Sequence, residues 1–467
     1  MLTKVHMIET QTNPPLSIRT KLAFGVGDLG PAMVSIIKGF FLLNFLINIA
    51  GLSPGRAGAV LLVGKIWDAI NDPIVGTLTD RTRTRWGRRR PWLLFGAFPF
   101  AVAYFLHFIV PDMGETALFF YYVGIGLLLD ASFSAVNVPY AALTPELSEN
   151  SQERTELNMY RFSFSVLGGL VAAIMYNFIV NQLFADSPDT GNVIQGLLIG
   201  AVIIVSNIIV FANTTERDST ETVQADIPFF DGLKITLQSR PFLYVSALYL
   251  LLWLSIQFVQ SLILFFFRDW IGGNPGGQFT LVLFGLQFSI FVFILFWGLM
   301  TRRLGRKNVF YIGVVFWIAV QLALFFVQPG QIALVTLLAV LAGVGVSIGF
   351  LIPWSLLPDV VDHDELLTGR RREGIFYGFF VFLQKFGIAV GLFVQGQVLE
   401  WAGYVKLQGS VIPQQPDSAL IALRVLTTLV PIVFLLASIA VVYFYPITEK
   451  KLAEIQADLA ARRATAG

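Results

Sequence analysis

Arg85-Trp86-Gly87-Arg88-Arg89 returns, in altered form, as Arg303-Leu304-Gly305-Arg306-Lys307. Each block is a short polar turn between two apolar stretches. Each follows the second such stretch of its half of the chain and precedes the third. The first copy is fuller, with Gly76-x-x-x-Asp80-Arg81 ahead of it. A glycine among cations suits a tight turn, and Asp80 offers a charge partner to Arg81, Arg88 and their neighbours. The run of arginines from 81 to 90 also acts as a topology signal.

Outward from these turns lie apolar runs near 22–49, 57–79, 92–110, 116–143, 159–181 and 193–213. After a polar stretch come 242–267, 278–300, 309–327, 331–357, 375–400 and 418–445. A bilayer crossing needs about 20 mostly apolar residues. Only helices and closed barrels satisfy every backbone group in lipid, and these runs are too long and too evenly apolar for barrel strands of about ten alternating residues. Composition agrees: 13% charged residues, against about 25% in soluble domains, leaves too little charge to coat a globule. The expected fold class is an all-α integral membrane protein with twelve transmembrane helices.

The expected units are a six-helix bundle over 1–213, a central cytoplasmic linker over 214–240, a second six-helix bundle over 241–446 and a cytoplasmic tail over 447–467. The piece from Ile227 to Ile235 fits either a solvated linker or a short amphipathic element on the membrane surface. In the tail, Leu452, Ile455 and Leu459 have helical spacing. Residues 1–20 do not read as a cleavable signal, since they carry Lys4, Glu9, Arg19 and Pro14-Pro15. Lysine and arginine crowd the loops on the side of the termini, with Arg56, Arg268 and Lys406 in the loops opposite. That bias predicts a multi-pass protein of the cell membrane with both termini cytoplasmic. The absence of cysteine excludes disulfides and thiolate chemistry, and a net charge of +2 gives no sign of nucleic-acid binding. No nucleophile–base set is visible, so an enzyme is not expected.

Charges inside the spans carry the functional reading. Lys65-Ile66-Trp67-Asp68-Ala69-Ile70-Asn71-Asp72-Pro73 sets three charges on one side of the second helix. Facing lipid, they would cost roughly 8–10 kcal/mol together, so they face the interior or a watered cavity. Two carboxylates and the Asn71 amide oxygen are hard ligands of the kind an alkali cation takes. Lys65 offsets one acid, and the remaining net −1 suits one Na⁺ or one proton. The alternative is a structural salt bridge between helices, for which one acid would suffice. Lys38, Asp130, Asn137, Arg161 and Lys385 are scattered through other spans. Lys385, deep in the eleventh span, is expected to meet the first-half acids across a central cavity. Arg161, near a span end, is placed to snorkel. Asp28 shapes the start of the first span, and His107 has no partner visible in sequence. Asp359 and Asp362, with His363, Asp364 and Glu365, read as a cytoplasmic charge cluster, with a metal site as the alternative.

A duplicated six-helix unit related by a pseudo-twofold axis is the plan of the major facilitator superfamily. Within it, the Lys65–Pro73 stretch, Arg85–Trp92, Asn137-Val138-Pro139-Tyr140 with Leu143, Glu153-Arg154-Thr155 and Arg161 resemble the glycoside–pentoside–hexuronide:cation symporters, the melibiose permease-like family. The resemblance is dense over residues 20–170 and resumes at Asp359-Val360-Val361-Asp362 and Lys385. It implies alternating access and symport of a small solute with Na⁺, Li⁺ or H⁺. It implies Asp68, Asn71 and Asp72 as cation ligands, Ser134 as a hydroxyl ligand, and Arg161 and Lys385 as basic groups near substrate and cation. The family's sugar-gripping acids are replaced here by Ala32 and Asn137, and its stacking aromatic by Ala141. Asn137 can still bond a hydroxyl, and Tyr140 and Trp354 offer apolar faces.

The expected function is cation-coupled symport (Na⁺ or H⁺) of a sugar or glycoside. The alternative cargo is an amphiphile such as a lysophospholipid, which the 43 phenylalanines and the missing sugar acids favour. A non-transporting receptor or scaffold would gain nothing from buried acids. The partners implied are a small-molecule substrate, the coupling cation and the bilayer, with no further cofactor.

Overall fold

The computed structural model describes residues 16–148, 151–216, 229–370, 372–407 and 411–466. Among them, twelve long helical rods carry the chain. In the first half these are α1 (Ile18–Phe40), α2 (Pro54–Arg81), α3 (Arg90–His107), α4 (Glu115–Leu147), α5 (Ser151–Tyr176) and α6 (Pro188–Asn213). A short helix, α7 (Phe229–Gln238), leads into α8 (Arg240–Trp270), α9 (Gly277–Leu304), α10 (Arg306–Phe325), α11 (Ile332–Thr368), α12 (Glu373–Trp401) and α13 (Asp417–Tyr443). The tail forms α14 (Glu449–Ala466). Ten rods are long and apolar enough to cross a membrane. The other two are α2, excluded by its charges and not by its 28 residues, and α3, whose 18 residues are long enough but include Arg90, two prolines and His107. The protein is an all-helical membrane fold. Its outward faces expose side chains such as Phe95, Phe162, Leu295 and Leu299, as a lipid-facing surface does.

The repeat seen in the sequence has a structural counterpart. Gly87 and Gly305 both adopt positive φ, +101° and +77°, a region that glycine enters without a Cβ penalty. In the first half, Arg88 and Arg89 donate to Glu146 near the end of α4, at 2.8 and 2.5 Å. In the second, Arg306 donates to Asp359 near the end of α11, at 2.6 Å. An acid from beyond the sixth rod closes each turn. Glu216 accepts from the backbone N–H of Arg88, Arg89 and Arg90 at 2.7–2.8 Å, capping the start of α3. Glu449 lies against Gly305, where a Cβ would stand 2.7 Å from its carboxylate. Both α1, through its extension, and α8 end in π turns, Phe45–Ile49 and Phe266–Trp270.

A Cβ on Gly87 would meet the Glu216 carboxyl at 2.4–2.6 Å and would require a strained backbone as well. Gly87→Ala is therefore expected to destabilise the protein by about 1–3 kcal/mol, read as a lower unfolding midpoint. An unchanged midpoint would show that Glu216 does not hold this turn.

The halves meet where α2 packs on α12, α5 on α9 and α1 on α8. Glycine makes the first contact close: a Cβ on Gly396 would lie 2.4 Å from the Pro54 carbonyl oxygen. Of the linker, Ile227 and Pro228 lie outside the described residues, while α7 docks on α12, its Gly232 against Phe379 and Ile375. In α14, Ile455 and Leu459 are buried, and Arg462 donates to the Leu366 carbonyl of α11 at 2.8 Å.

Candidate cation and substrate site

Asp68 and Asp72 stand one turn apart at the middle of α2. Pro73 has no N–H, so it also frees the carbonyl of residue 69 beside them. Lys385 reaches across from α12 and sits between the two acids, its Nζ 2.6 Å from Asp72 Oδ2 and 3.0 Å from Asp68 Oδ1. Lys65 donates to Asp68 Oδ2 at 3.3 Å. Ser134 of α4 donates to Asp72 Oδ1 at 2.5 Å. Next to this group, Lys38 of α1 pairs with Asp130 of α4. Gly64 leaves room there, since a Cβ would stand 3.1 Å from Asp130 Oδ2. Asn71 is buried and its amide nitrogen has no hydrogen-bond partner. Asp68, Asp72 and Lys65 by themselves carry a net −1, and Lys385 meets the two acids as its depth in the eleventh span leads one to expect. With Lys385 included, Asp68 and Asp72 are matched by two lysines, and Asp130 is matched by Lys38.

These groups border a cavity of about 510 Å³ between the halves. Lys38, Lys65, Asp68, Asp130 and Lys385 line it. Most of the remaining wall is apolar, from residues such as Leu43, Leu129, Phe133, Val282, Leu338 and Phe350. Gln257, Gln260, Gln287 and Gln321 interrupt it.

Of the sequence-derived substrate set, Lys385 lines this cavity. Asn137, Tyr140 and Arg161 form a separate group nearer the termini. There Arg161 pairs with Asp28 at 3.4 Å and lies 5.0 Å over the Tyr140 ring, while the Tyr140 hydroxyl donates to the Phe24 carbonyl at 2.5 Å. Asn137 Oδ1 is buried without a partner. Asp28 stands where α1 breaks, between Ile18–Val26 and Leu29–Phe40. Trp354 is 41% exposed and packs edge-on against Tyr249 and Phe380.

Among the charge-pairing residues, Asp80 takes Arg89 at 2.8 Å, and Arg81 is exposed. Asp362 is half-buried one turn beyond Asp359, and Asp364 pairs with Arg372 at 2.6 Å. Among the described residues, no cluster of three or more acids or histidines is arranged to hold a metal ion.

At the end away from the termini, the halves are tied directly. Arg268 donates to Asn44 at 3.0 Å, the Leu407 N–H to Asn48 at 3.0 Å, Lys406 to the Gly51 carbonyl at 2.6 Å and the Gly55 N–H to Glu400 at 2.5 Å. The sequence reading placed Arg268 in a loop. It is instead buried in the π turn of α8, with Asp269 at 2.6 Å. Glu146, Glu216 and Glu400 were not singled out either. The available signal was an acid at the very edge of an apolar run.

The family model described as MFS/sugar transport protein matches residues 23–449. The uncharacterized symporter sll1374 of Synechocystis is 37% identical, over 98% of this chain and 99% of that protein. The sodium-dependent lysophosphatidylcholine symporter 1 of Gallus gallus is 30% identical, over 94% of this chain and 88% of its own length. In fold, the chain resembles a bacterial homolog of the human lysosomal transporter Spinster, solved inward-facing and unoccupied, with a TM-score of 0.66 at 12% identity over 94% and 97% of the two chains.

Proposed function

The chain belongs to the MFS/sugar transport protein family, and from that premise we propose that it couples a cation at Asp68 and Asp72 to the movement of an amphiphile through the central cavity. The observation that carries the coupling is Lys385, held between both acids at the edge of an apolar chamber. Its ammonium stands where a coupling cation would be held. Asp68, Asp72, the Asn71 amide and the Ser134 hydroxyl are oxygen donors suited to Na⁺, and the carboxylates also suit H⁺. A cation that displaces Lys385 strands an ammonium in apolar surroundings, which is costly. A cargo with acceptor oxygens relieves that cost by taking the ammonium's hydrogen bonds. Cation and cargo then favour each other, and linkage makes that preference reciprocal.

The apolar wall supports an amphiphilic cargo, as does the likeness to a lysophosphatidylcholine symporter. The glutamines of the wall, Gln384 among them, favour a second reading, a sugar or glycoside held by its hydroxyls, which the resemblance to the glycoside–pentoside–hexuronide:cation symporters also supports. The loop charges support cytoplasmic termini. The cavity is then closed on the external side by the Arg268, Lys406 and Glu400 contacts, and Asp80–Arg89 and Arg306–Asp359 brace the cytoplasmic turns. Thermal unfolding of the purified protein tests the cargo with a panel of lysolipids, sugars and glycosides, each with and without Na⁺. A ligand at 100 times its Kd adds about 2.7 kcal/mol. Lysolipid is expected to give that shift in Na⁺ and much less without it; a shift from sugars alone overturns the amphiphile reading.

A further inference from the structure

Lys38, Asp130 and His107 line the cavity and take no part in the coupling step above. The Lys38–Asp130 pair joins α1 to α4 with side chains 20% and 7% exposed. A lone buried pair is a poor stabiliser, because well-packed apolar residues would hold the two helices as well or better. His107 ends α3, is 2% exposed, and has no hydrogen-bond partner on either ring nitrogen. A neutral imidazole offers one donor and one acceptor, and leaving both unmade in a buried place is unfavourable. Its ring packs on Phe108 and Tyr122, both at 5.8 Å, and next to Gly126, where a Cβ would lie 3.9 Å from Cε1. Gly126 is one turn from Asp130 on α4. The unpartnered ring and the ion pair therefore stand within about one helical turn along the same cavity wall.

We infer that Lys38, Asp130 and His107 form a headgroup subsite for a zwitterionic amphiphile. The inference rests on the amphiphile reading above. An anionic headgroup that drew Lys38 away would leave Asp130 a buried carboxylate without a partner, and a cationic one would strand Lys38. Both are penalised. A zwitterion gives each side chain an opposite charge at once. The His107 N–H then donates to the anionic end, and the apolar wall takes the acyl chain.

The test titrates the purified full-length protein, in Na⁺, with lysophosphatidylcholine, lysophosphatidic acid and monoacylglycerol of one chain length, with binding read by thermal shift. The zwitterion is expected to bind about tenfold more tightly than either of the others. Lys38→Met with Asp130→Leu should cut that advantage to under about threefold, while Na⁺-dependent stabilisation persists. His107→Leu should weaken the zwitterion, and His107→Gln, which keeps a donor and an acceptor, should restore part of the loss. Equal binding of the three lipids to the unaltered protein, or an advantage that survives the double substitution, overturns the subsite. If the double variant does not fold, the wild-type ranking and the two His107 variants decide. If none of the three lipids binds, the amphiphile reading falls and the subsite with it. Binding without rank sinks the subsite alone.

Discussion

Asp72→Asn abolishes gradient-driven uptake and leaves the fold standing. The substitution keeps the shape of the side chain and an oxygen that can accept from Ser134, which now lies 2.5 Å from Oδ1. It removes the charge that holds Lys385 at 2.6 Å. Stability survives because Lys385 keeps Asp68 at 3.0 Å, and because Asp72, a third exposed, is the less buried of the two acids. Coupling does not survive. With one acid left and two lysines next to it, the site has one charge too few to hold a cation against Lys385. A loss of about 2.7 kcal/mol of cation affinity is a factor of about 100. Uptake into proteoliposomes under a Na⁺ or H⁺ gradient should fall by at least that factor, with an unfolding midpoint within a few degrees of the parent. Uptake at the parent's rate would remove Asp72 from the coupling step.

The rods were legible because lipid imposes a length and a composition on every crossing segment. The α2 charge face was legible because intramembrane charge is expensive and helical spacing is short-range. What escaped sequence reading is contact between distant segments. Lys38 and Asp130 are 92 residues apart and their pairing is not readable from spacing, whereas the meeting of Lys385 with Asp72 across 313 residues is expected from its depth in the eleventh span. No periodicity within one helix announces a partner such as Asp130. Arg268 escaped for a related reason. A charge after an apolar run reads as loop, whereas Asp269, Asn44 and Tyr404 satisfy it within the helix end. The glycines of the two turns were visible as letters, but the acids that close against them, Glu216 and Glu449, come from beyond the sixth rod of each half.

The second large effect is expected at Gly396. Several hydrogen bonds close the end of the bundle away from the termini, and an exposed one contributes only about 1 kcal/mol net, because water replaces a lost partner at a surface. Removing one side chain, such as Glu400, therefore shifts the open–closed balance by less than about tenfold. Gly396 acts on all of them together. A Cβ there would stand 2.4 Å from the Pro54 carbonyl oxygen and 2.9 Å from Gly58 Cα. Both are backbone atoms of α2, so no side chain can swing aside. Gly396→Leu should force α2 and α12 apart at this end and hold the transporter open to that side. The chain has no cysteine, so one introduced thiol reports without background. With Leu43→Cys on the cavity wall, an impermeant maleimide applied to intact cells should label the Gly396→Leu protein at least about tenfold faster than its Gly396 parent, a shift of about 1.4 kcal/mol in the closing equilibrium. Transport should be lost at the same time, because alternating access needs both states. Equal labelling rates with transport intact would mean that the α2–α12 glycine contact is packing alone and not the closure of the cavity.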